Sequence, residues 1–247
     1  MNLSGKTILL TGAKRVGKTV AHALATKGAN LAIAYNSSKE EAQEVQKEAQ
    51  DIGVKAEIFQ ANLSSGKDIK NLVEQVILAF GQIDGLVHMA SPYPKTILGE
   101  ITMDKFDDIM RSIAGSAILL GQEISLKMSR GAGSGSAGKI IFFSDWSVLS
   151  RPFENYVVYN AAKAAVEAVT KSLARELAPN ITVNAIAPGP ILAPPDLTEE
   201  ENKEVLAKTP LARWGGAEEI AKAVLYLFDS DFTTGIILPV DGGRSIA

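Results

Sequence analysis

The chain has 247 residues, 46% hydrophobic and 21% charged, enough for a large buried core and the size at which one α/β domain, 1–247, commonly runs as a unit. Its 25 basic and 28 acidic residues leave a net charge of −3, so no basic surplus points to nucleic acid or an anionic membrane. With no cysteine, disulfides, thiolate catalysis and thiolate-held metals are excluded.

In chain order, the polar start 1–6 leads directly into a strand and is not a signal peptide. No apolar run reaches the roughly 18 residues of a membrane span, so a cytoplasmic protein is expected. The first strand, 6–10, is almost fully apolar, as in a strand buried on both faces. It ends in Thr11-Gly12-Ala13-Lys14-Arg15-Val16-Gly17, and helical spacing follows over 16–27. Gly12 and Gly17 let the backbone approach a pyrophosphate seated on the helix N-terminus; the bland alternative is a tight turn without a ligand. The second strand, 30–35, runs into Asn36-Ser37-Ser38. An NAD site places a carboxylate here for the ribose hydroxyls, and none is present. Lys14 and Arg15 supply cations, and Ser37 and Ser38 supply donors, which predicts NADPH over NADH. The alternative is that both cations face solvent.

Helices over 39–52 and 66–80 alternate with strands over 55–60 and 83–89. His22 in the first helix reads as surface or packing, and His88 either lines the cleft or packs; they are too far apart for a metal signature, and no metal site is expected. A helix over 103–128 is followed by a glycine- and serine-rich spacer, 131–138, and a strand over 139–144. The helix over 156–177 carries Tyr159 and Lys163, whose spacing puts them on one face. An ammonium beside a phenol lowers the tyrosine pKa from about 10, making a proton donor and acceptor near neutral pH. The same helix is rich in alanine, which permits close helix contact and suggests a homo-oligomer.

After a strand over 181–186 comes a proline-rich and then acidic stretch, 188–208. Ligands of open α/β sheets bind outside the carboxyl ends of strands, so a substrate lid near 190–215 is expected, with a solvated loop and helix as the alternative. Glu199, Glu200 and Glu201 read as a solvated helix start, and Arg213 and Trp214 as support for the lid or a subunit contact. A helix over 217–228 and a strand over 236–240 complete the alternation, which argues for a parallel sheet covered on both faces.

Together these segments resemble the short-chain dehydrogenase/reductase family over essentially the whole chain. The resemblance rests on the turn at 11–17, Asn62-Leu63, Met89-Ala90-Ser91, the Tyr159 and Lys163 pair, the run from Val183 to Pro188-Gly189, and Val240-Asp241-Gly242-Gly243. It implies an α/β fold: a Rossmann-like, doubly wound parallel sheet of seven strands with helices on both faces. It also implies a homotetramer or homodimer. Tyr159 would protonate the substrate as the nicotinamide delivers hydride, and Lys163 would hold the nicotinamide ribose. Pro188, Gly189 and the residues up to Ile191 would contact the nicotinamide end. Asn62 and Leu63 would flank the adenine, and Ala90 the adjacent ribose, with Ser91 beside it in the cofactor set. Gly12, Lys14, Arg15, Val16, Gly17, Tyr35, Asn36, Ser37 and Ser38 complete the expected cofactor set.

Three departures stand out. The glycine turn is one residue shorter than the family's TGxxxGxG. The family's catalytic asparagine falls at about Ile113. The catalytic serine position is Asp145, in Phe143-Ser144-Asp145-Trp146.

An ionised aspartate accepts hydrogen bonds and cannot donate to a substrate carbonyl. A substrate with N–H groups removes that conflict. The chain is similar to pteridine reductases, which reduce C=N bonds of pterins with an Asp-Tyr-Lys arrangement. The similarity extends to Lys14-Arg15, Tyr35 with Ser38, Ala90-Ser91 with Tyr93 and Pro94, and Pro152. Ser91, Tyr93, Asp145 and Trp146 are the candidate substrate contacts, Tyr93 offering an aromatic face to a flat ring. The competing readings are a 3-oxoacyl-carrier-protein reductase or general ketone reductase acting on an acyl thioester or small molecule, with Ser144 as donor if the register shifts by one. Asp145 could also simply cap the loop. A reading of another class is a cofactor-binding regulatory protein with little turnover.

Overall fold

Parallel pairing organises the computed structural model, which describes residues 1–128 and 138–247. The expected spacer at 131–138 lies outside the described residues, apart from Gly138. The seven strands are β1 (Thr7–Thr11), β2 (Asn30–Tyr35), β3 (Ala56–Gln60), β4 (Gly85–His88), β5 (Gly138–Phe143), β6 (Ile181–Pro188) and β7 (Ile237–Val240). They form one sheet in the order β3-β2-β1-β4-β5-β6-β7, with every pairing parallel.

Successive side chains of the apolar strands feed two cores. Ile8 and Leu10 join Leu31, Ile33, Val87 and Ile141 on one face. That face is covered by α1 (Val16–Thr26), α2 (Lys39–Ile52) and, near the carboxyl end, a helix at Ala217–Asp229. Leu9, Leu86, Ile140, Phe142 and Val183 point to the other face, under α3 (Gly66–Phe80) and two later helices at Ser116–Ser125 and Val157–Leu177. Chain direction across the sheet reverses between β1 and β4, whose ends are level at Thr11 and His88. Such a switch point opens a crevice outside the carboxyl ends of the strands.

The structure departs from the expected elements in two places. The single helix expected over 103–128 is α4 (Met103–Met110), a π-helical turn (Arg111–Gly115) and α5 (Ser116–Ser125). Ser116 Oγ accounts for the defect: it lies 2.7 Å from the Ser112 carbonyl and 3.0 Å from that of Ile113. The apolar spacing continues through the defect, so periodicity gives no sign of it. A one-turn helix, α6 (Trp146–Leu149), is too short to leave a periodic pattern. After α7 (Val157–Leu177), the acidic stretch folds as α8 (Glu199–Ala207), closed at its start by a Thr198–Glu201 capping box. The last helix is α9 (Ala217–Asp229).

Candidate active site

The crevice is built first by backbone. Gly12 has φ 81°, and a Cβ there would sit 2.7 Å from the Ala90 nitrogen. A Cβ on Gly17 would lie 1.9 Å from the Gly12 carbonyl oxygen, so the turn closes only with glycine at both positions. The short turn finds its remaining left-handed residue in Arg15, at φ 51° and ψ −111°. That conformation is costly for a side-chain-bearing residue and is held at a functional crevice, where such strain concentrates.

Two hollows meet at this turn. One, of about 580 Å³, runs over the ends of β5 and β6; the other, of about 520 Å³, runs over the ends of β2 and β3. Gly12, Lys14, Met89, Ser91 and Pro92 line both. A glycine turn opening a helix between two connected hollows fits a dinucleotide, with its pyrophosphate at the α1 N-terminus.

Tyr35, Asn36, Ser37, Ser38, Asn62, Leu63 and Ala90 all line the second hollow, as expected for the adenosine end. The carboxylate missing from the end of β2 enters from α2 instead. Glu41 lines this hollow and its Oε1 lies 2.5 Å from Lys14 Nζ. The Lys14 ammonium holds the exposed Glu41 carboxyl below its usual range. Arg15 also has other partners: its guanidinium donates to the Leu192 carbonyl at 3.2 Å and reaches that of Ala193 at 3.5 Å. The two cations expected to stand free for a 2′-phosphate are thus engaged, one by a carboxylate and one by the segment after β6.

At the other end, Asp145 caps α6, its Oδ1 accepting from the Ser147 amide at 2.9 Å. Its Oδ2 accepts from the Tyr159 hydroxyl at 2.8 Å. Both residues line the larger hollow, with Trp146, Tyr93, Pro188, Gly189, Ile191, Val16 and Gly17. Tyr93 meets Tyr159 edge-on at 4.8 Å between centroids, stacks on Tyr156 at 4.3 Å, and packs edge-on with Phe153. This aromatic wall leaves one flat, half-exposed tyrosine toward the hollow.

Lys163 is placed differently from expectation. It is buried behind Tyr159, its Nζ donating to the Phe143 carbonyl at 2.8 Å and lying 5.7 Å from the Tyr159 ring centroid. It does not line either hollow. Burial lowers its pKa to about 8, against the pull of Asp145. The expected depression of the Tyr159 pKa is not found. Burial, and then the charge and hydrogen bond of Asp145, push the phenol up instead. Tyr159 therefore holds its proton firmly in the unliganded molecule.

Ser144 does not serve as a register-shifted donor. Its buried hydroxyl donates to Glu167 Oε1 at 2.7 Å, away from the hollow. Ile113 is buried in the π-turn and its carbonyl is taken by Ser116. His88 is a packing residue: Nδ1 lies 2.7 Å from the Thr11 hydroxyl and Nε2 lies 2.9 Å from that of Ser116. Burial first, and then the nearby Lys163, lower its pKa to about 3, so the ring is neutral and ties β1, β4 and the start of α5 together. His22 is exposed on α1. Trp214 Nε1 donates to Asn202 Oδ1 of α8 at 2.8 Å. Sequence reading missed Glu41, Phe153, Leu192, Leu197 and Arg244 as lining residues. They stand on loops or helix ends, where no periodic signal marks them; Arg244 alone had a pointer, directly after Asp241-Gly242-Gly243.

A family profile described as enoyl-(acyl carrier protein) reductase matches residues 12–245. The chain is 35% identical over 246 residues to a 3-oxoacyl-acyl-carrier-protein reductase FabG of Staphylococcus aureus (strain N315), covering 96% of this chain and 97% of that protein. Among solved structures it is similar to a short-chain dehydrogenase/reductase from Serratia marcescens, at TM-score 0.90 and 30% identity over 99% of this chain and 100% of that one. It is also similar to FolM alternative dihydrofolate reductase 1 from Brucella canis complexed with NADP, at TM-score 0.89 and 29% identity over 100% and 97% of the two chains. The Rossmann-like sheet, the glycine turn and this full-length similarity together make the chain an oxidoreductase of the short-chain dehydrogenase/reductase family.

Proposed function

We propose that the enzyme is an NADPH-dependent reductase of a C=N or C=O bond whose neighbouring N–H group is held by Asp145. The observation that carries this reading is the 2.8 Å hydrogen bond from Tyr159 to Asp145. When bound, the nicotinamide supplies the hydride. Tyr159 supplies the proton from its hydroxyl, the state its raised pKa favours. Loss of that proton would leave phenolate and carboxylate side by side. A substrate N–H donating to Asp145 offsets this repulsion, and a plain ketone cannot. Lys163, held behind the ring by the Phe143 carbonyl, adds a positive field there. Gly12, Gly17 and the α1 N-terminus would hold the pyrophosphate, and Pro188, Gly189 and Ile191 the nicotinamide end. The segment 190–215 acts as the lid.

The likeness to the Brucella canis protein, an alternative dihydrofolate reductase complexed with NADP, supports both the cofactor and a pterin-like substrate. The test is a substrate panel read by NADPH oxidation, comparing dihydropterins and cyclic imines with acetoacetyl thioesters, in the native enzyme and Asp145→Ser. Serine removes the N–H acceptor charge and restores a carbonyl donor. C=N reduction should fall about 10- to 100-fold, the value of one charge-assisted hydrogen bond, while ketone reduction rises. Unchanged C=N reduction in Asp145→Ser would sink the reading.

A second reading, reduction of a 3-oxoacyl thioester, is favoured by the 35% identity to the Staphylococcus aureus enzyme. The same panel decides between them. We also propose a cytoplasmic homotetramer or homodimer. Ala161, Ala164 and Ala168 are exposed along one side of α7, with half-exposed Val157, leaving an apolar face of small side chains for a second copy. A monomer mass by light scattering at micromolar concentration would count against it.

A further inference from the structure

Arg244 is a cation of the larger hollow that the proposed reduction does not use. It opens the 3-10 turn Arg244–Ile246 after β7 and lines the same hollow as Asp145 and Tyr159. Its guanidinium lies 5.2 Å over the Trp146 ring, and NH1 donates to the Val205 carbonyl of α8 at 3.1 Å. A guanidinium has five N–H donors in a planar fork, so most remain for a ligand. Among the described residues no carboxylate pairs with it. Glu204 is near enough to favour its charge but is ion-paired with Lys208. Partial burial, and then the exposed Arg151, both work against the charged form. A bound anion would relieve both costs and take up the free donors.

The wall of the hollow thus changes character between consecutive residues. Asp145 offers a carboxylate acceptor, and Trp146 carries a stacked cation. Tyr93 and Phe153 add flat apolar surface to the same hollow. We propose that Arg244 is a specificity-determining residue that binds a carboxylate on the substrate, at the end remote from the bond being reduced. The substrate class is then an acid whose reducible group meets Tyr159 and whose acidic tail meets Arg244. This rests on the reading of the hollow as the substrate site.

The test compares two pairs of compounds that differ in the acidic tail. One is 7,8-dihydrofolate against 7,8-dihydrobiopterin; the other is a 4-oxo acid against its methyl ester. Each is measured with the native enzyme, Arg244→Gln and Arg244→Lys. In Arg244→Gln the acid-to-neutral ratio of kcat/KM should fall about tenfold, through KM, and lysine should restore part of it. Both tryptophans of the chain, Trp146 and Trp214, line the hollow, so fluorescence quenching gives the same ratio for any pair that binds without turnover. A ratio that Arg244→Gln leaves unchanged overturns the proposal, including the case where both members weaken together because Arg244 only braces Trp146 and α8. If neither pterin is reduced, the C=N reading fails by itself, and the oxo acid pair still decides the role of Arg244.

Discussion

Replacing Asp145 with asparagine should loosen the hold on the Tyr159 proton. The amide preserves the size of the side chain and an oxygen for the Ser147 amide, so α6 keeps its cap while the charge next to the phenol disappears. At 2.8 Å, two like unit charges repel by about 6 kcal/mol at an effective dielectric of about 20, about 4 pK units. Asp145 is only half-buried, and solvent screens part of that, so a fall of about 2 to 4 units is expected. Burial of Tyr159, 5% exposed, is untouched and keeps its pKa from falling further. The assay is tyrosinate absorbance near 295 nm against pH. In Asp145→Asn one tyrosine should titrate that is silent in the native enzyme and is removed by adding Tyr159→Phe. Alcohol oxidation by the variant should also rise at lower pH, because phenolate forms there. Identical titrations of Asp145→Asn and the double variant would refute the claim that Asp145 charge holds the proton on Tyr159.

Other substitutions test the remaining parts of the site. Glu41→Gln should shift the kcat/KM ratio of NADPH to NADH about three- to tenfold toward NADPH, since it frees Lys14 and removes a negative charge from the adenosine hollow; an unchanged ratio would show that Lys14 does not reach the 2′ position. Gly17→Ala should weaken NADPH binding at least about tenfold and lower Tm, because its Cβ would lie 1.9 Å from the Gly12 carbonyl; native binding by fluorescence titration would contradict this. Lys163 has a folded pKa near 8 and an unfolded one near 10.4, so the unfolded chain binds more protons between those values and its contribution to stability rises with pH across that window. Relative to Lys163→Met, the native enzyme should gain about 2 kcal/mol of unfolding free energy between pH 7.5 and 9.5, measured by urea denaturation; a flat difference would place the lysine in contact with solvent.

The alternation of strands and helices was readable because the central strands are apolar on both sides and each covering helix on one, and the sheet followed once the family resemblance was added. The cofactor half of the crevice was readable for a related reason. Its shape comes from backbone, and the glycines at 12 and 17 mark where backbone must come close. The substrate half was less legible. Tyr159 and Asp145 were found by their residue types, but their direct contact joins positions on different elements. The direction of the tyrosine pKa was misread because spacing on a helix weighs Lys163, which in the fold lies behind the ring, and ignores burial, which dominates. The engagement of Lys14 and Arg15 escaped notice for the same reason: Glu41 and the Leu192 carbonyl approach from elements that local sequence does not connect.

The cap formed by Asp145 bears on whether its charge needs a substrate to explain it. An aspartate before a short helix is a good N-cap, and here it does accept from the Ser147 amide. A serine would cap nearly as well, to within a fraction of the roughly 1 kcal/mol that such a cap contributes. A serine would also leave Tyr159 free of a neighbouring charge, and could donate to a carbonyl. Capping therefore does not account for a carboxylate at this position, and proton transfer from Tyr159 to a simple ketone is hindered by it. What a carboxylate gains over serine is a strong acceptor in a hollow walled by aromatic rings, and among the described residues only the Ser147 amide and the Tyr159 hydroxyl donate to it. In the proposed reduction Tyr159 gives up that bond as it protonates the substrate, and a substrate N–H takes its place on Oδ2, which ties that N–H to the same step as the transfer of the proton.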